Sequence, residues 1–137
     1  LRLNRYLPAT VIRAVVGIDG KDFSDIISHD KLNAMVERIP LQTAQALAKQ
    51  ARPQIDQLIQ HAEKISQIKL PDIINEAQTL MLNEQRVEVA RLEGLAQVNP
   101  NIRVDEIIAI KEMAADIAHC LSEAKVRLNA VRLVMAI

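Results

Sequence analysis

From Leu41 onward, apolar residues recur at alternating steps of three and four. Leu41, Ala44, Ala48, Ala51, Ile55, Leu58, Ala62 and Ile65 keep this spacing without a miss, the heptad pattern of a helix with one sheltered seam. Pro53 falls inside the run. A mid-helix proline removes a backbone bond and crowds the preceding turn, at about 3 kcal/mol, so a kink or break is expected near Ala51 and Arg52. A second seam, Ile107, Ile110, Ala114, Ile117, Leu121, Ala124, Leu128, Val131 and Met135, predicts a helix running almost to the end of the chain. Between the two, Ile73, Ile74, Ala77, Leu80 and Met81 cluster before the polar Asn83, Glu84, Gln85 and Arg86, with Leu92 and Leu95 beyond. This predicts a helix with a less buried middle.

Pro40, Pro71 and Pro100 divide this region into three segments of similar length. Helices filling them would be roughly 40 to 50 Å long at about 1.5 Å per residue. Val98-Asn99-Pro100-Asn101 supplies a turn, because proline fixes φ and asparagine tolerates left-handed backbone and caps helix starts. A reversal there sets the third helix antiparallel to the second. An alternative joins the first two segments into one long helix bent at Pro71, with the third folded back along it.

The N-terminal part has a different pattern. Val11, Ile12, Val15, Val16 and Ile18 form a largely β-branched run ahead of Asp19-Gly20, a dipeptide suited to the two positive-φ positions of a type I′ turn. A short β-hairpin follows from this, with a returning arm of only Lys21 to Phe23, and an isolated hairpin of that size is marginal in water. Leu32, Met35, Val36 and Ile39 then predict a short helix over 30–39, ended by Pro40. The expected fold is mainly α: an elongated, antiparallel, coiled-coil-like helical bundle with a small N-terminal β-hairpin, α+β overall. Residues 1–40 hold the hairpin and short helix, and 41–137 the long-helix bundle, together one structural domain.

Composition narrows the class. Half of the 137 residues are hydrophobic and a quarter are charged, with three glycines, one cysteine and two aromatics, Tyr6 and Phe23. Collagen-like, disulfide-stapled and disordered readings fail. So does a base-stacking nucleic-acid module, which needs several aromatic rings on one surface. Seventeen basic residues balance seventeen acidic ones, leaving no global field for phosphate or anionic lipid. Lone Cys120 has no partner for an internal disulfide, which favours a reducing compartment. No apolar run approaches a membrane span and no signal peptide is visible, so a soluble, cytoplasmic protein without a membrane partner is expected. The chain begins Leu-Arg-Leu-Asn and reads as a piece of something longer.

Candidate chemistry is sparse. Gly17 to Lys21 has two residues between its glycines and Asp22 after the lysine, whereas a phosphate loop needs four and a Ser or Thr. His29, His61 and His119 are isolated except for Cys120 beside His119, and neighbouring helical positions diverge by about 100°. No metal site is expected. Asp105 and Glu106 suit the first turn of a helix, where negative charge meets the dipole. Glu84 and Glu88 sit on a polar stretch, and a catalytic pair would also need a pocket. Arg86, Arg91, Lys125, Arg127 and Arg132 are interspersed with acids, as on an ordinary surface helix, and a nucleic-acid stripe would be denser. Ile108, Leu133 and Val134 lie outside the third seam and call for a cover, either the hairpin or another chain.

Three blocks carry a family likeness: Leu3-Asn-Arg-Tyr-Leu-Pro8, Arg91-Leu-Glu-Gly-Leu95 leading through Val98-Asn-Pro-Asn-Ile-Arg103 to Asp105-Glu106, and Arg127-Leu-Asn-Ala-Val-Arg-Leu133. In these the chain resembles the C-terminal region of the RapA (HepA) family, bacterial RNA polymerase-associated, helicase-like ATPases. Val104 stands where the family can carry an acid, and about residues 40–85 the likeness is one of helical character. The resemblance implies ATP-driven, DNA-binding translocases that bind RNA polymerase core enzyme, promote its recycling and act in transcription regulation as activators. It implies ATP and Mg²⁺ as cofactors of the full-length relatives, with upstream domains of the same chain, RNA polymerase and, through the full-length protein, nucleic acid as partners. The P-loop and acidic Mg²⁺-holding motif that such a motor needs are not found in these residues. The expectation is a non-catalytic C-terminal accessory domain with no catalytic, cofactor-binding or metal residues of its own, the alternative being a stand-alone coiled-coil dimerisation or adaptor module.

Overall fold

The computed structural model describes residues 3–135. After a 3-10 turn at Leu3–Arg5, four α-helices follow: α1 (His29–Met35), α2 (Leu41–Gln50), α3 (Arg52–Ala96) and α4 (Val104–Ser122). The chain divides into two compact units. One holds 3–11 with 70–125, the other 12–69 with 126–135. Helix α3 contributes its residues up to Lys69 to the second unit and those from Leu70 onward to the first.

The mainly α class holds, but the hairpin is corrected. Among the described residues there is no strand, only a single antiparallel bridge between Val16 and Asp22. The turn is also of another kind. Gly20 N–H donates to the Gly17 carbonyl and Gly17 N–H to that of Lys21, while Gly20, at φ +84, is the one described residue with positive φ. A type I′ turn needs positive φ at both central residues; a three-residue loop closed by a left-handed glycine is the geometry of a bulged hairpin turn. The ladder stops because side chains take over from backbone. Val15 N–H donates to Ser24 Oγ at 3.0 Å, and Ser24 N–H to Asp22 Oδ1 at 2.8 Å, turning the returning arm away after three residues. An ideal Cβ on Gly20 would lie 3.1 Å from His61 Cε1. Gly20→Ala is therefore expected to destabilise by about 1 to 2 kcal/mol, since left-handed backbone alone is that unfavourable with a Cβ, read as a lower urea midpoint; an unchanged midpoint would contradict the turn geometry.

Helix α1 starts at Ser28, whose side chain accepts from Lys31 N–H at 3.1 Å, and the chain is extended again at Val36, short of the expected end at Ile39. Helix α2 begins after Pro40. The break expected at Ala51 and Arg52 is present, and it explains how Pro53 is accommodated. Ala51 closes α2 and α3 begins at Arg52, so Pro53 sits in a first turn, where no intrahelical partner exists for the missing N–H. The first seam, apart from exposed Leu41, is half-buried from Ala44 to Ile65. Pro71 does not divide helices. It lies inside α3, as the single-helix alternative had it, although that helix starts at Arg52 and not Leu41.

In the first unit α3 and α4 run antiparallel. Gln78 Nε2 donates to the Ala118 carbonyl at 2.9 Å and Gln85 Nε2 to that of Ile110 at 3.1 Å, so the partner number falls as the α3 number rises. Between them Ala77 and Met81 pack with Ala114, Ile117 and Leu121, and Leu3, Tyr6, Leu7 and Ala118 lie against this cluster. The reversal uses the expected residues: Asn101 N–H donates to Asn99 Oδ1, and α4 follows with Asp105 and Glu106 in its first turn. Yet α4 ends at Ser122, and its seam residues Leu128, Val131 and Met135 are exposed and non-helical. No Gly or Pro follows Ser122. The departure is tertiary: residues 126–135 belong to the second unit, where the Arg132 guanidinium donates to Asn33 Oδ1.

Candidate functional site

Two surface grooves lie where the N-terminal segment crosses α3 in the first unit. Leu3, Tyr6 and Leu7 share the i, i+3, i+4 spacing of one helical turn, and Tyr6 and Leu7 N–H both donate to the Leu3 carbonyl. That turn aims the three side chains at the Met81 cluster and leaves Arg5 outward, where its guanidinium meets Glu84 at 3.2 Å and lies 5.8 Å from the Tyr6 ring centroid. Burial, and then the hydrogen bond to Glu84 and its negative charge, push the Tyr6 phenol above its ordinary value, with Arg5 opposing. Two shallow grooves result. Leu7, Pro8, Ile73, Glu76 and Leu80 flank one; Arg5, Asn83, Glu84, Val87 and Glu88 flank the other. Tyr6 borders both.

Glu84 and Glu88 are thus close to one groove, but each is held by a cation. Arg91 binds Glu88 through two nitrogens, at 2.6 and 3.1 Å, and this hydrogen bonding keeps the Glu88 carboxyl below its usual range. The lowered Glu88 carboxyl favours its charged form, the one that Arg91 binds.

The other sequence candidates are dispersed. Gly17, Gly20 and Lys21 form the turn, with Lys21 Nζ 5.1 Å from the Phe23 ring centroid. Asp22 is held below the ordinary aspartate value by hydrogen bonds from the Ser24 side chain and backbone. His29 bonds Asn33 within α1, His61 packs beside Gly20, and His119 pairs with Glu123 one turn on at 3.3 Å. Cys120 is half-buried. Asp105 pairs with Arg103 at 3.2 Å, and Glu106 remains exposed at the start of α4. Arg86, Lys125, Arg127 and Arg132 are exposed, as are Ile108, Leu133 and Val134. Among the described residues no three of His, Cys, Asp and Glu come together to hold a metal ion, and no helix is long and apolar enough to cross a membrane. Tyr6 and Arg5 were not singled out by chemistry; the spacing of Leu3, Tyr6 and Leu7 is the signal that could have marked them.

A helical module with a surface groove is the class this geometry defines. Residues 1–136 match the family described as the RNA polymerase recycling family C-terminal region, and the chain belongs to that family. The RNA polymerase-associated protein RapA of Proteus mirabilis is 30% identical over 135 residues, covering 98% of this chain and 14% of that protein. Its counterpart in Pectobacterium carotovorum is 31% identical over 135 residues with the same coverage, and that of Pseudomonas syringae pv. tomato is 31% identical over 136, covering 99% and 14%. The chain thus spans about a seventh of the length of these curated relatives. The likeness read from three blocks is membership along nearly the whole chain.

Proposed function

We propose that this region is the non-catalytic accessory module of a cytoplasmic, ATP-driven protein that binds RNA polymerase and promotes its recycling. Family membership over residues 1–136 carries the reading, together with relatives named as RNA polymerase-associated. The dispersed histidines and cation-held carboxylates support a role in contact and positioning. In this reading ATP and Mg²⁺ bind elsewhere in the longer protein, and the module packs against the other domains and sets the motor on polymerase.

Deleting the matching segment from the Proteus mirabilis relative tests this. ATP hydrolysis is expected to persist while multi-round transcription by its polymerase falls by about tenfold, the effect of about 1.4 kcal/mol of lost positioning energy. Abolished hydrolysis with an intact fold would overturn the non-catalytic assignment. Unchanged multi-round transcription would overturn the positioning role.

A further inference from the structure

Ile73, Leu80 and Val87 stand seven residues apart on α3, which places them on one line of the helix. Leu80 is 47% exposed and Val87 70%, so the line is an apolar strip beside the N-terminal segment. Glu76, Glu84 and Glu88 border it. Against them stand Arg5, bound to Glu84, and Arg91, bound to Glu88; among the described residues Glu76 has no ion-pair partner within 4.0 Å. The exposed apolar residues of the strip are Leu80 and Val87, with Asn83 and Glu84 between them, and its edge carries one more glutamate than arginine.

The opposite character belongs to residues 126–135. Leu128, Val131, Val134 and Met135 are between 45% and 55% exposed, and the charges of the segment are Arg127 and Arg132, with no acid. In helical form Leu128, Val131 and Met135 would share a face with an arginine on either side. Leu128 to Met135 spans seven residues, about 10 Å on a helix, the same as Leu80 to Val87.

We propose that the strip on α3 receives the basic, apolar tail of a second copy of this chain, Leu128, Val131 and Met135 covering Leu80 and Val87 while Arg127 and Arg132 meet the glutamates. Docking supplies the apolar cover under which the helical period of the tail is realised, in exchange for the half-cover these residues have in the second unit and for the exposed Arg132–Asn33 bond. The inference stands apart from the proposed function, since it concerns two surfaces of the chain itself.

Sedimentation of the 137-residue chain from about 10 µM to about 1 mM, a range that reveals micromolar to millimolar affinity, is expected to show a dimer, with helix content by circular dichroism rising alongside it. Val87→Asp and the double change Arg127→Glu with Arg132→Glu should each weaken association by about tenfold or more, as loss of a central anchor or of buried charge pairs does. Ile68→Asp, at a position 76% exposed outside the strip, should leave it unchanged. A Glu76→Arg, Glu88→Arg chain mixed with the double glutamate chain should regain association, which separates complementarity from misfolding. A monomer throughout the range overturns the proposal, as does a dimer indifferent to both sets of changes or one that Ile68→Asp weakens equally.

Discussion

Truncation of Met81 to alanine is expected to lower the unfolding free energy by about 3 to 5 kcal/mol. Met81 is fully buried, at 0% exposure, and packs in the cluster with Ala77, Ala114, Ile117 and Leu121. Removing its γ-methylene, sulfur and terminal methyl forfeits their transfer energy and leaves a cavity that two helices closing on Ala77 and Ala114 have little freedom to fill. Leu3, Tyr6 and Leu7 lose part of their contact surface with it, since they lie against the same cluster. Against a typical total of about 5 to 15 kcal/mol, the loss is a large fraction of stability. Urea unfolding followed by circular dichroism measures it. A fall below about 1 kcal/mol, the scale of an ordinary surface change, would show that the Met81 cluster is not the core of this unit.

The opposite sign is expected at Pro71. Helix α3 continues through this residue, yet proline offers no N–H to the carbonyl of Gln67 four residues earlier, and its ring crowds that carbonyl. Such a proline is unfavourable in a helix interior by about 3 kcal/mol relative to alanine. Pro71 is exposed, so its ring contributes little burial in return. Pro71→Ala should therefore stabilise the chain by about 1 to 3 kcal/mol, the proline penalty less the unfolded-state entropy that proline removes. A raised urea midpoint with slightly increased helix signal is the expected result. A lowered midpoint would mean that the helix is interrupted there after all.

These two sites show how far local pattern reached. The seam Ile107, Ile110, Ala114, Ile117 and Leu121 identified the face of α4 that is sheltered, because a 3.6-residue period puts those positions on one side whatever covers them. The break at Ala51 was equally legible, since Pro53 is tolerated in a first turn and not in an interior. Pro71 is the exception, as the antiparallel packing of α3 begins only at Ala77, beyond it, and is not visible in its neighbours. The groove beside Tyr6 was legible only in part. Its glutamates were noted as a polar stretch, and their capture by Arg5 and Arg91 depended on a segment almost eighty residues away in one case and three in the other.

By itself the sequence determined the mainly helical class, the antiparallel turn at Asn99 to Asn101, the break ahead of Pro53 and, through three short blocks, the family. Each of these rests on backbone chemistry or side-chain period within a few residues. Tertiary structure decided three others. It reduced the expected hairpin to one bridge, because Ser24 and Asp22 side chains took the bonds that a second strand needed. It carried α3 through Pro71, and it ended α4 at Ser122 with the remaining seam residues in another unit. In each, local propensity is worth a few tenths to a few kcal/mol per residue; at the hairpin it gave way to side-chain bonds two and nine residues apart, and at the end of α4 to packing in another unit.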